Sequence, residues 1–265
     1  MFKLVLIGLS FLLFVATSYS APKPAAKAVA AKSKVSDIQK IKGPEELDKV
    51  LQSELNASEL KVLKEKVIHF SNKSVPTLIK AMKSDAYPEK NRWMATFLLG
   101  RIMGDKSSAF IARFAEHPNW VMRLASLKTL LALKQDKYKS IYVKSLSDKS
   151  LIVRVQALDN INHLKIKDAS SHVWAMLYDK SNYSGQGKQL KRTNIIKEVI
   201  KTIGDLEFKK AEAPLLSMIQ NKKYQDIHNE IDYSLSKIHG KKSPVGNLSK
   251  KQHFWSRIAL NNKTI

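Results

Sequence analysis

Arginine recurs at Arg92, Arg123, Arg154 and Arg192, and His228 takes the next place in the same series. A guanidinium is a rigid fork of N–H donors that grips a carboxylate or phosphate two atoms at a time, so a row of them could bind a row of anions. Helical geometry points elsewhere. Residues four and seven places on lie about 40 and 20 degrees around a helix from the first. They are Leu127 and Leu130 after Arg123, Leu158 and Ile161 after Arg154, and Ile196 and Val199 after Arg192. The arginines open a buried face, where a charge needs partners close by. Arg92, Arg123, Arg154 and Arg192 are therefore expected to be structural anchors.

Lysine offers the better binding candidates. Lys197 and Lys201 stand one turn apart, opposite Ile195, Val199 and Ile203, with Lys188, Lys191, Lys209, Lys210, Lys222 and Lys223 close in sequence. Together they form a candidate face for an anion or a partner. The alternative is a solvated lysine-rich surface that only keeps the chain soluble. The stretch SNYSGQGKQLKR, 181–192, lengthens one unit and has the character of a partner loop or a tolerated surface insertion; it lacks the glycine spacing and Lys-Ser/Thr of a phosphate-binding loop.

Catalytic patterns do not emerge. The 7 histidines form no His-x-x-x-His or His-Glu-x-x-His pair, and there is no Gly-x-Ser-x-Gly elbow. Zero cysteines remove disulfides, thiolate nucleophiles and thiolate metal sites. The expectation is a chain that is not an enzyme, with no catalytic residue, metal or cofactor. Trp93, Trp120 and Trp174 sit at apolar spacing, as core or groove lining. Trp255, in SKKQHFWSRIAL, is read as part of a short amphipathic cap opened by Ser249, or else as a membrane-surface anchor beside Lys250, Lys251 and Arg257.

The elements that must position these residues come from an internal repeat. The anchors Arg92, Arg123, Arg154, Arg192 and His228 stand 31, 31, 38 and 36 residues apart. Three places on are Ala95, Ser126, Ala157, Ile195 and Ile231; seven places on are Leu99, Leu130, Ile161, Val199 and Leu235. A second apolar segment precedes each anchor, as in VPTLIKAM from Val75 and EAPLLSMIQN from Glu212. Each unit is thus helix, turn, helix. One such hairpin cannot cover its own apolar faces, so neighbours must stack into a shared core. No stretch shows sustained period-two alternation, which makes the expected fold all-α.

The pattern resembles the HEAT-repeat family, including the short bacterial units related to phycobilin lyase repeats. That family places an Asp six residues before an Arg at the start of the second helix, and Asp148 and Arg154 stand at this spacing. The other units carry Ala86, His117, Gln186 and Lys222 there. The resemblance implies a right-handed α-solenoid of about five helix-turn-helix repeats, with N-terminal helices and a C-terminal cap. It also implies that Asp148 and the anchors bond within and between repeats.

Residues 1–20 read as an export signal: Lys3, an apolar Leu4 to Val15, then Thr17-Ser18-Tyr19-Ser20, with cleavage expected at Ser20/Ala21. Residues 21–42 read as a flexible Ala/Lys/Pro linker, 43–243 as the solenoid and 244–265 as the capping segment. The expected location is periplasmic or secreted, with no transmembrane span in the mature form. Lys+Arg 46 against Asp+Glu 23 gives a net charge of +23. Such a charge favours anionic partners, and export moves these from nucleic acid to envelope material. The leading expectation is a non-catalytic scaffold for another envelope or extracellular protein. The alternative is an electrostatic binder of anionic polymers or lipids. A lesser one is a DNA-binding, glycosylase-type protein, from the likeness of HPNWVMRLASL to a tryptophan-arginine helix.

Overall fold

Apolar residues at helical spacing give helices along almost all of residues 35–185 and 191–261, which the computed structural model describes. The export segment, the linker up to residue 34, Lys188 and residues 262–265 lie outside the described residues. The order is α1 (35–40), α2 (Leu47–Leu51), α3 (Ala57–Phe70), α4 (Val75–Lys83), α5 (Glu89–Met103), α6 (Ser108–Ala112) and α7 (Trp120–Ala132). Then follow α8 (Lys139–Ser145), α9 (Leu151–His163), α10 (Ser170–Ala175), α11 (Asn194–Asp205), α12 (Glu212–Gln220), α13 (His228–His239) and α14 (Leu248–Asn261). The described chain is all-α apart from two-residue strands β1 (Tyr183–Ser184) and β2 (Lys191–Arg192), which pair antiparallel with Tyr183 opposite Arg192.

Helices α4, α6, α8, α10 and α12 each pack against the helix that follows, and α3, α5, α7, α9, α11 and α13 each touch the next of their own kind. The residues three and seven after each anchor, from Ala95 and Leu99 to Ile231 and Leu235, are all buried. One apolar cluster runs from Ile38 to Trp255. Each fully buried aliphatic side chain in it contributes about 1.5–3 kcal/mol relative to exposure. Helices approach closely where the sequence is small: a Cβ on Gly204 of α11 would stand 2.6 Å from the Ser234 Cα of α13.

Local chemistry sets the boundaries. Asn56 Oδ1 accepts from the amides of Ser58 (2.9 Å) and Glu59 (3.0 Å), while Glu59 Oε2 accepts from the Asn56 amide at 2.8 Å. This reciprocal box starts α3. The turns that follow the second helices need a positive φ. Gly104 and Gly240 supply it freely, whereas Lys134 (54°), Lys165 (53°) and Glu207 (54°) hold it against their own Cβ.

Three expectations change, and one pair of alternatives is narrowed. Residues 35–42 are not linker: Ile38 and Ile41 are buried, and Lys66 Nζ donates to the Ile41 carbonyl at 3.0 Å. Two isoleucines three apart are enough to seat a short helix on the core. The fourth anchor, Arg192, lies in β2 and not on a helix, because Lys191 and Arg192 pair with Ser184 and Tyr183 before α11 begins. The last helix starts after Asn247, whose Oδ1 accepts from the Lys250 amide at 3.1 Å, and not at Ser249. Of the two readings of Trp255, the packed cap fits and the membrane-surface anchor does not: the ring is fully buried, with Nε1 donating to Asp232 Oδ1 at 2.7 Å, and α14 packs on α12.

Candidate functional site

The anchors form a ladder along the leading ends of the second helices. Arg123 Nε and Nη2 meet both oxygens of Asp148 at 2.7 Å, and its Nη1 donates to the carbonyls of His117 (2.9 Å) and Pro118 (2.8 Å). Arg154 is buried: Nη1 donates to the Asp148 carbonyl (2.7 Å), Nε to Asn182 Oδ1 (2.9 Å) and Nη2 to the Ser181 carbonyl (2.9 Å). Each guanidinium thus ties its own leading turn to the leading turn of the next unit. Asp148 serves two arginines, giving its side chain to Arg123 and its backbone to Arg154. Burial works to raise the Asp148 carboxyl. The Arg123 side chain, the Ser150 amide and the Arg154 charge nevertheless hold it below the ordinary aspartate value.

The outer rungs differ. Arg92 pairs with Asp85, donates to the Met82 carbonyl at 3.3 Å and brings Nη2 within 3.2 Å of His117 Nε2. His117 Nδ1 already accepts from the Asn119 amide at 3.0 Å. A neutral imidazole has one acceptor, so it cannot serve both donors. Arg192 donates Nη1 to Asp226 Oδ1 (2.8 Å) and to the Lys223 carbonyl (3.2 Å), with its guanidinium 4.8 Å over the Tyr224 ring.

The lysines do not form one face. Lys191, Lys222 and Lys223 gather with Arg192 at the leading end of α11, whereas Lys209 and Lys210 lie in the turn beyond its trailing end. Twelve residues of helix separate the two ends by roughly 18 Å. Lys209 Nζ bonds the Ile238 carbonyl, and Lys201 pairs with Glu198 at 3.2 Å. Lys197 stands half-buried between the two groups.

A surface that sequence reasoning touched only at Trp93 and Trp120, as core or groove lining, lies on the free sides of α5, α7 and α9. Trp120 and Leu151 both stand three places before an anchor, and each is 42% exposed; Ile152 and Val155 are 48% and 40% exposed. One place after the anchors stand Trp93, Leu124 and Val155, and Trp93 stacks with Phe97 at 6.5 Å. Since α5, α7 and α9 pack side by side, these residues make one apolar strip. The signal was present in the repeat alignment: such positions should be polar on a solvated helix face, and here −3 is large and apolar in α7 and α9 and +1 in α5, α7 and α9, whereas −3 of α5 is Glu89, which accepts from Asn119 Nδ2. Exposed Arg101, Lys128 and Lys149 border the strip. The acids on that side are engaged: Asp159 lies 2.9 Å from His163 Nδ1, and Glu198 holds Lys201.

Among the described residues, no group of three or more His, Asp or Glu side chains is placed to hold a metal ion, and no helix is long and apolar enough to cross a membrane. No known family model matches the sequence, and no curated protein matches it.

Proposed function

We propose that the chain is an exported, non-catalytic scaffold: a HEAT-like, right-handed α-solenoid of about five units that docks another envelope or extracellular protein. The observation that carries this reading is the strip of Trp120, Leu151, Ile152 and Val155. A single exposed leucine needs no explanation, but four large apolar residues on adjoining helix ends mark a surface that gains by being covered. Support for the solenoid comes from the second helices, each packed on the next, since stacked units that touch only neighbours generate such a shape.

The surroundings define the partner. Arg101, Lys128 and Lys149 leave the rim basic, so the complementary surface carries apolar side chains flanked by Asp or Glu. The apolar centre supplies the affinity, and the basic rim steers the encounter and sets register. The export reading of residues 1–20 places this partner outside the cytosol.

The test compares the full chain with an Ile152→Glu, Val155→Glu variant, each immobilised and offered the envelope fraction. Expected is one saturable partner held by the parent chain and lost by the variant, at unchanged melting temperature. Equal retention by both, or no saturable partner, overturns the reading.

A further inference from the structure

The anchors can be ranked by how fully their guanidiniums are used. In Arg123 the edge formed by Nε and Nη2 is filled by the two oxygens of Asp148. In Arg154 the same edge is filled by Asn182 Oδ1 and the Ser181 carbonyl. In Arg192 only Nη1 is engaged, by Asp226 and the Lys223 carbonyl. Among the described residues its Nε and Nη2 have no hydrogen-bond partner, and the side chain keeps 16% of its exposure.

That edge is held in place. The guanidinium lies over the Tyr224 ring at 4.8 Å, and Asp226 with the Lys223 carbonyl fixes its opposite corner. Stacking and pairing restrict the long side chain, so little freedom remains to be lost when the open edge is filled. Cations stand near it. Lys223 Nζ sits 5.8 Å from the same tyrosine ring, and Lys222, next to it in the chain, is exposed; Lys191, the neighbour of Arg192 on β2, projects to the opposite face of the strand. Three cationic side chains, Arg192, Lys222 and Lys223, stand with the Asp226 carboxylate.

We infer that the Arg192 corner is a binding site for a phosphate group, taken in bidentate fashion by Nε and Nη2 as Arg123 takes Asp148. The surplus of positive charge favours a doubly charged phosphomonoester over a singly charged carboxylate. Lys222 and Lys223 supply the remaining charge as flexible ammoniums, and Tyr224 and Asp226 position the fork. The site is separate from the apolar strip and stands or falls without it. Lys197, Lys201, Lys209 and Lys210 take no part.

The phosphate could be free or borne by a lipid headgroup, and the test has an arm for each. Inorganic phosphate is titrated into the full chain while the arginine Nε–H resonances are followed, against sodium chloride at equal ionic strength. Expected is a saturable shift at Arg192 with none at Arg123 or Arg154. Arg192→Lys should abolish it. The exposed pair Lys222→Gln, Lys223→Gln, which leaves the Arg192 contacts to Asp226, Tyr224 and the Lys223 carbonyl available, should weaken it by about tenfold through lost charge. Vesicles of phosphatidic acid in phosphatidylcholine form the second arm: binding that needs Arg192 assigns a lipid source, and phosphate binding without vesicle binding assigns a soluble one. Either result upholds the site. A chloride titration that reproduces the phosphate shift, or undiminished phosphate binding by both variants, overturns it.

Discussion

The junction from Arg123 to Asp148 and the junction from Arg92 to His117 occupy the same place in successive units and are built from different chemistry. In the first, one carboxylate accepts from Nε and Nη2 at 2.7 Å and also from the Ser150 amide at 2.8 Å. In the second, an imidazole accepts from the Asn119 amide at 3.0 Å and meets Arg92 Nη2 at 3.2 Å with no second acceptor to offer. Arg92 Nε is left buried without a partner. Yet α5 and α7 pack as α7 and α9 do. The apolar positions set the stacking, and the polar ladder adds stability where its chemistry is complete.

The largest effect is expected where the ladder is most complete. Arg154→Ala removes a buried cation and leaves the carbonyls of Asp148 and Ser181 without their donor, which should cost about 3–5 kcal/mol in denaturant unfolding. Asp148→Asn keeps the shape but removes the charge that Arg123 requires, and should cost about 2 kcal/mol. That variant also has a pH signature. The folded Asp148 carboxyl is held below the ordinary aspartate value of 3.8, so its contribution is present above that value and is lost as pH falls through the folded value. The parent chain should lose stability on acidification below 3.8, and Asp148→Asn should flatten that part of the profile.

His117→Asp sharpens the comparison from the other side. An aspartate there can accept from both the Asn119 amide and Arg92, as Asp148 does from Ser150 and Arg123. The variant should gain about 1 kcal/mol in thermal unfolding. The smallest stability effect belongs to the strip: Ile152→Glu alone should change unfolding by less than about 0.5 kcal/mol, because its side chain faces water.

Much of the scaffold was legible in the sequence. Period and burial agree at every aligned position from Ala95 to Leu235, since helical spacing is a local property that burial must respect. What spacing could not convey was contact between distant residues. Trp255 is buried by Asp232, 23 residues earlier. The hairpin of Tyr183 with Arg192 is two residues per strand, too short for alternation to register. Lysines close in sequence were separated by the length of α11. The apolar strip was legible only at Trp93 and Trp120, read as core or groove lining; Leu124, Leu151 and Val155 drew no reading, because only packing reveals which side of a helix is left open.

The central proposal is that the open side of α7 and α9 is where a partner sits. A photo-cross-linking residue at position 152, compared with one at position 210 in the turn beyond α11, tests it in intact cells. The expected result is a discrete adduct from position 152 alone, joined to a segment of the partner that carries apolar and acidic residues and lost when Lys128→Glu is added. Equal labelling from both positions, or an adduct from 210 and none from 152, would contradict it.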